Sequence, residues 1–277
     1  MSVKSKLKKV LKKLNGKEKI PVIEVQRESS LLEGKVILIT GGSGGIGFAI
    51  AKKCLQTGAK VIIAGTNEKK LNEKVKSCNS DNIKSIVLNL SKVSSFEDKI
   101  QDACKLFSDN RIDVLVNSAG VNPAKNFFDI KESDFDVTMN VNVKGTFFMS
   151  QAIANYFIEN KVKGHILNIS SSSALRPAWG PYEISKWAIK GFTIGLADTL
   201  IKHGIVVNAI GPGPTATPML GLKEGDDIDL PNNPSGRFAM PKEIAELAVM
   251  LISDAGQLVV GDTLYVTGGA GTTTMHN

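Results

Sequence analysis

The chain is poor in the residues that hold metals and disulfides, with three cysteines and three histidines among its 277 residues. Cys54, Cys78 and Cys104 are far apart and form no Cys-x-x-Cys pair, which argues against a disulfide framework or a zinc site and for a reducing cytoplasm. His165, His203 and His276 lack metal-ligand spacing and read as surface or strand-edge residues, so no metal is expected. No run approaches the roughly 20 apolar residues of a membrane-crossing helix. No apolar segment of signal-peptide length follows the N-terminal lysines, so a secretory signal is not expected either.

Excess charge is missing from most of the chain. Residues 1–19 hold eight lysines and one glutamate, which equals the whole net charge of +7, so residues 20–277 are formally neutral. A neutral body gives no footing for nucleic acid. In the arm, Val3, Leu7, Val10, Leu11 and Leu14 share one helical face, so residues 1–32 are read as a basic amphipathic arm and linker. With so little apolar area, a solvated tail or a helix packed on a neighbouring subunit is favoured. Docking of residues 1–19 on an anionic membrane surface or an acidic partner is the alternative.

From residue 33 onward, short apolar runs alternate with helix-like segments. Strands are expected at 35–39, 60–64, 83–88, 112–116, 164–169, 205–209 and 262–266. Helices are expected at 45–57, 68–77, 94–108, 132–159, 181–203 and 241–253. That alternation predicts an α/β fold with a seven-stranded parallel sheet and helices on both faces, forming one catalytic domain over 33–277. The proline-punctuated stretch 211–240 follows a strand's C-terminal end, where such sheets bind ligands, and is expected to be a substrate lid.

The string Thr40-Gly41-Gly42-Ser43-Gly44-Gly45-Ile46-Gly47 lies between the first strand and the first helix. Glycines there permit a sharp turn and let backbone N–H groups and a helix N-terminus approach phosphate oxygens, which predicts a bound dinucleotide. Further on, Tyr182 and Lys186 stand at i and i+4 on one helix. An ammonium beside a phenol favours phenolate, as a tyrosine acid/base requires. Alone, the pair is equally a solvent-facing helix couple.

Taken together, these strings and their order resemble the short-chain dehydrogenase/reductase family from about Leu32 to Gly271. The set comprises the glycine turn, Asn117-Ser118-Ala119-Gly120, Asn142-Val143-Lys144-Gly145, Asn168-Ile169-Ser170-Ser171, Tyr182 with Lys186, and the run from Pro212 to Met219. The resemblance implies a Rossmann-type three-layer sandwich, a homotetramer built partly on helix 181–203, and hydride transfer between a nicotinamide cofactor and a carbonyl or secondary alcohol. Tyr182 would be the general acid/base, Lys186 would tune it and hold the cofactor ribose, and Asn142 would hold a water leading to Lys186. Ser171 would bind the substrate oxygen, with Ser172 the alternative in a run of four serines. The implied cofactor site takes Gly41, Ser43, Gly45, Ile46 and Gly47 from the turn, and Thr66, Asn67, Asn89 and Leu90 from the next two strand ends. Asn117, Ala119, Gly120, Tyr182, Lys186, Pro212, Gly213, Thr215 and Thr217 complete it.

The second strand ends in Ala64-Gly65-Thr66-Asn67, where an acidic residue would repel a 2′-phosphate. None is present and Thr66 and Asn67 are donors, so NADP is favoured over NAD, although no arginine stands there. Asn89 replaces the aspartate that the family sets against the adenine amine. Lys223, Glu224, Asp226, Asp227, Asp229 and Arg237 in the lid hint at a polar substrate, sugar-like or a hydroxy acid, or are ordinary solvated loop charges. Trp179 is expected to wall the pocket or pack on the lid. The competing class is a catalytically silent nucleotide-binding scaffold or sensor docked through the basic arm.

Overall fold

The computed structural model describes residues 30–223 and 225–273. The basic arm, Glu224 and His276 lie outside the described residues. The element order is β1 (Val36–Thr40), α1 (Gly45–Gln56), β2 (Lys60–Gly65), α2 (Glu68–Ser77), β3 (Ile83–Val87), α3 (Phe96–Cys104) and β4 (Val114–Asn117). It continues with α4 (Glu132–Thr138), α5 (Thr146–Glu159), β5 (His165–Ile169), α6 (Pro181–Leu200), β6 (Val206–Pro212), α7 (Pro241–Ile252) and β7 (Thr263–Val266).

The seven strands form one parallel sheet in the order β3-β2-β1-β4-β5-β6-β7. Side chains alternate across a strand, so a sheet covered on both faces needs apolar residues at every position. In β1, Ile37 and Ile39 pack with Val61, Ile63, Val114 and Val116 under α1 and α7, through Ile50, Cys54, Ile244 and Val249. Val36 and Leu38 face the other way, joining Ile62, Leu115 and Ile166 beneath α3, α5 and α6, through Phe96, Met149, Phe157 and Leu200. Each fully buried Ile, Leu or Phe contributes about 1.5–3 kcal/mol relative to exposure, which is what holds three layers together. Leu32, expected in the linker, is fully buried in the first of these clusters, and its N–H bonds to Thr57 O at 3.0 Å.

Three elements differ from the sequence expectation. The helix expected over 132–159 is split into α4 and α5 by a π-helical turn, Met139–Gly145, which apolar periodicity does not reveal. The helix expected at 94–108 stops at Cys104, where Leu106 N–H turns back to Ala103 O and Asn110 takes a left-handed φ of 48°. Strand β6 runs on to Pro212, so the lid begins at Gly213. Pairing to β5 ends at Ile210, and the proline's missing N–H therefore breaks no ladder bond on that side.

The strand order reverses between β1 and β4, so the loops leaving their C-terminal ends diverge and open a crevice. Beneath it lies a buried polar network. Asn117 Nδ2 donates to Ser150 Oγ and to Asn168 Oδ1, both at 2.9 Å, and Asn168 Nδ2 donates to Thr193 Oγ1 at 3.0 Å. These bonds tie β4 and β5 to α5 and α6 just where the catalytic candidates emerge.

At the opposite end of the sheet His165 is buried, where the sequence suggested a surface or strand-edge residue, and its Nδ1 has no hydrogen-bond partner among the described residues. Burial, with Lys35 nearby, pushes the imidazole pKa down to about 4. The unfolded chain then binds more protons than the folded one between pH 4 and its ordinary value of 6.5. The stabilisation is complete above pH 6.5 and is lost as pH falls through 4, a change of about 3 kcal/mol. Chemical denaturation across this range will show a correspondingly flatter stability profile for His165→Gln, and identical profiles for the two chains would contradict the assignment.

Candidate active site

The glycine turn is shaped by close approach. Gly41 has a left-handed φ of 64°, and a Cβ there would lie 2.7 Å from Ala119 Cα. One on Gly47 would meet Gly41 O at 2.5 Å, and one on Gly45 would meet Thr217 Cγ2 at 2.6 Å. No residue larger than glycine fits these contacts, so the turn after β1, the loop after β4 and the lid's first residues meet in one place. No side chain caps α1 and its first turn carries no acid, which leaves the N–H groups of Gly45, Ile46 and Gly47 open to an anion. The cradle fits a dinucleotide pyrophosphate.

The remaining cofactor candidates fall at neighbouring strand ends with different freedom. Ser43 Oγ lies against Gly65, and Thr66 follows it exposed. Asn67 caps α2, its Oδ1 accepting from Lys70 N–H at 2.9 Å, so only its Nδ2 can face a ligand. Asn89 Oδ1 likewise accepts from Ser91 N–H at 2.9 Å, which leaves one lone pair of that oxygen and the Nδ2 donor for a ligand. Leu90 is buried against Gly145, where a Cβ would come within 2.7 Å of it. Asn117's side chain is committed to the network below the crevice and offers only its backbone. Past Pro212, the N–H of Gly213 bonds to Val266 O, and the hydroxyls of Thr215 and Thr217 donate to Gly213 O and Thr215 O.

Lys186 is 6% exposed, and its ammonium donates to Ile169 O, the last carbonyl of β5, at 2.9 Å. Burial lowers its pKa to about 8. The carbonyl of Lys186 in turn accepts from Ser170 Oγ at 3.1 Å, so Ser170 locks α6 to the end of β5. Asn142 sits in the π turn and bonds three ways: Oδ1 takes Val121 N–H at 2.8 Å, while Nδ2 donates to Val121 O at 2.9 Å and to Ser185 Oγ at 3.1 Å. Gly120 lies between them, with a modest Cβ clearance of 3.4 Å to Asn142 Oδ1 and 3.7 Å to Lys186 Nζ.

Tyr182 and Lys186 share the inner face of α6, with the ammonium 5.4 Å from the centre of the phenol ring. The ammonium lies over the ring, and the balance at the phenol is set chiefly by other groups. Burial pushes its pKa up, a hydrogen bond from Ser171 pulls it partly back, and the Glu183 carboxylate pushes it up again. Ser171 opens the turn Ser172–Leu175 and accepts from Ser173 N–H at 3.0 Å. Of the four consecutive serines, Ser171 is the one placed against the tyrosine. Ser185, which had no reading in the sequence, joins the parts: its Oγ donates to Tyr182 O at 2.6 Å and accepts from Asn142.

A pocket of about 80 Å³ opens beside Tyr182, bounded by 122–125, Ile130 and 179–183. Trp179 walls it. Lys125 stands on the far side with its ammonium held by both Asp134 oxygens, at 2.7 and 3.0 Å. Three of the lid's charged side chains are engaged locally. Asp226 accepts from the backbone N–H of Lys223, Asp227 accepts from the backbone N–H of Asp229, and Arg237 makes a two-bonded ion pair with Glu243 of α7 at 2.7 and 2.8 Å. That pair holds the Glu243 carboxyl down to about 2 and fixes the start of α7. Asp226, Asp227 and Arg237 therefore support lid structure, which weakens the lid charges as a sign of a polar substrate. Among the described residues no group of histidine, cysteine and carboxylate side chains is arranged to hold a metal, and no helix is long and apolar enough to cross a membrane.

A crevice at the strand reversal, a glycine cradle and an inward Tyr-Lys pair define a nucleotide-binding oxidoreductase architecture. The short chain dehydrogenase family pattern matches residues 35–227, and the chain belongs to that family. It is 34% identical over 244 residues to 3-oxoacyl-(acyl-carrier-protein) reductase FabG of Thermotoga maritima, covering 86% of this chain and 98% of that one. It is 32% identical over 245 residues to gluconate 5-dehydrogenase of Gluconobacter oxydans, covering 86% and 95%. The crystal structure of 3-ketoacyl-(acyl-carrier-protein) reductase from Brucella melitensis, complexed with NADH, superposes with a TM-score of 0.78 at 30% identity, covering 87% of this chain and 99% of that one.

Removing the Asn142 carboxamide strands Val121 N–H, Val121 O and the Ser185 hydroxyl in a buried setting. Asn142→Ala is expected to cost about 3 kcal/mol, read as a lower urea midpoint with unchanged slope. A loss under about 0.5 kcal/mol would mean that the side chain does not hold the loop.

Proposed function

We propose that the chain is an NAD(P)-dependent oxidoreductase that interconverts a carbonyl and a secondary alcohol. The observation that carries this reading is the convergence of Ser171, Tyr182 and buried Lys186 beside a pocket, next to an uncapped helix N-terminus and glycine cradle. Gly41, Ser43, Gly45, Ile46, Gly47, Ala119 and Gly120 would hold the dinucleotide, which when bound supplies or accepts the hydride.

Tyr182 keeps its proton at neutral pH, because burial holds its pKa above the ordinary phenol value. That is the form needed to protonate a carbonyl oxygen as it gains negative charge. Ser171 donates to the same oxygen and stabilises the developing alkoxide. In the reverse direction the Ser171 hydrogen bond eases removal of the phenol proton. Lys186 is held in place by Ile169 O and, with its pKa near 8, carries its charge at neutral pH. Asn142 positions the Val121 loop that roofs this end of the crevice.

The names of the relatives span an acyl thioester and a sugar acid, so kinship alone does not choose a substrate. NADP remains the favoured cofactor, supported by the exposed Thr66 and the free Nδ2 of Asn67, with no carboxylate at either position. A homotetramer is supported by apolar side chains left exposed along α6, among them Ile184, Trp187 and Ile194.

Tyr182→Phe is expected to lower kcat roughly 10²–10⁴-fold while dinucleotide binding persists. Ser171→Ala will also be impaired, whereas Ser172→Ala will retain most activity, and the opposite ranking would reassign the serine. In parallel, kcat/KM will be higher with NADPH than with NADH. Thr66→Asp will cost NADPH at least about tenfold and spare NADH, since each 1.4 kcal/mol of repulsion is a factor of ten. A wild-type preference for NADH would refute the cofactor assignment.

A further inference from the structure

Among the pocket's charged walls, one is unmatched. Lys125 is neutralised by Asp134, and Lys186 lies behind Tyr182 with its ammonium on Ile169 O. Glu183, next to Tyr182 on α6, makes no ion pair or hydrogen bond among the described residues, yet it lines the pocket. A helix-capping role would explain an acid in this first turn, but the side chain makes no cap bond. Its direction is set instead by Gly180: a Cβ on that glycine would lie 2.9 Å from Glu183 Oε2, so the carboxylate folds back over bare backbone and along the wall.

We propose that Glu183 determines substrate specificity: its carboxylate admits a neutral or cationic group beside the reacting carbonyl and excludes a carboxylate or phosphate there. This rests on the function proposed above and narrows it, setting hydroxy acids with an adjacent carboxylate apart from neutral hydroxyketones, amino ketones and acyl esters or thioesters. The same carboxylate acts on the Tyr182 phenol, which places it within electrostatic reach of the reacting oxygen. At that range a like charge on the ligand loses about tenfold in affinity in a partly solvated site, and an opposite charge or a donor gains. Trp179, on the same wall, supplies an apolar surface and a reporter.

The test uses acetoacetate and ethyl acetoacetate, which share the ketone and differ in the carboxylate. With Trp187→Phe, Trp179 is the sole tryptophan, and its fluorescence reads binding of each compound without turnover. In that background Glu183→Gln is expected to raise affinity for acetoacetate relative to the ester about tenfold, and Glu183→Lys further. Glu183→Asp, which keeps the charge and controls for folding, will stay near the parent ratio. An unchanged ratio in both the Gln and Lys variants would overturn the proposal, as would absence of binding by either compound in all four chains. Turnover of the same ketones with NADPH or NADH is scored separately. Failure there counts against the oxidoreductase reading, while the fluorescence ratio still reports on Glu183.

Discussion

The architecture of the site depends on keeping one ammonium out of water. Lys186 is buried among backbone and amide groups, and a desolvated cation is costly unless its donors are used. Its bond to Ile169 O meets one donor and requires that β5 end where α6 passes. Ser170 enforces that contact by bonding to the Lys186 carbonyl, and the π turn sets Asn142 near the same charge. A nucleotide-binding scaffold would need no such burial of a cation. On the proposed function, the lowered lysine pKa is the expense of a site arranged for proton transfer.

The second constraint is spatial. Because the sheet is covered on both faces, ligand access is confined to its rims, and at the C-terminal rim the strand reversal opens the crevice to which strand ends, the π turn and the start of α6 bring the candidates. Gly41, Gly45 and Gly47 let three segments converge within contact distance, and the Asn117-Asn168-Thr193 network stiffens the floor beneath. Most polar groups nearest the crevice are bonded to one another, Asn117 Oδ1 excepted, and among the pocket's charged side chains the carboxylate of Glu183 is the unmatched one.

Much of the fold was legible because its signals are local. Doubly buried strands such as 36–40 are continuous apolar runs, and Tyr182 with Lys186 at one helical spacing must share a face. Less legible was whatever depends on a partner distant in sequence. Nothing in 132–159 marks a π turn, since one extra residue per turn hardly disturbs the apolar pattern. Asn67 and Asn89 read in sequence as ligand contacts, but each side chain also accepts from a local backbone N–H. Sequence leaves the lid charges open between ligand contacts and solvated loop charges, and the fold places Arg237 on Glu243. Conversely, Ser185 and Glu183 sit inside the Tyr182–Lys186 string, yet their parts depend on Asn142 and Gly180, which only the fold brings near.

The central claim is that this rim moves hydride between a bound dinucleotide and a carbonyl carbon. The direct measurement is label transfer: the full-length protein is incubated with nicotinamide dinucleotide phosphate deuterated at the reduced ring carbon and a carbonyl panel, and alcohol products are analysed by mass spectrometry. Deuterium is expected on the carbinol carbon of at least one product, at a rate lowered at least about 10²-fold by Tyr182→Phe. Tight dinucleotide binding with no deuterium transfer to any carbonyl, using either the phosphorylated or the unphosphorylated cofactor, would contradict the claim.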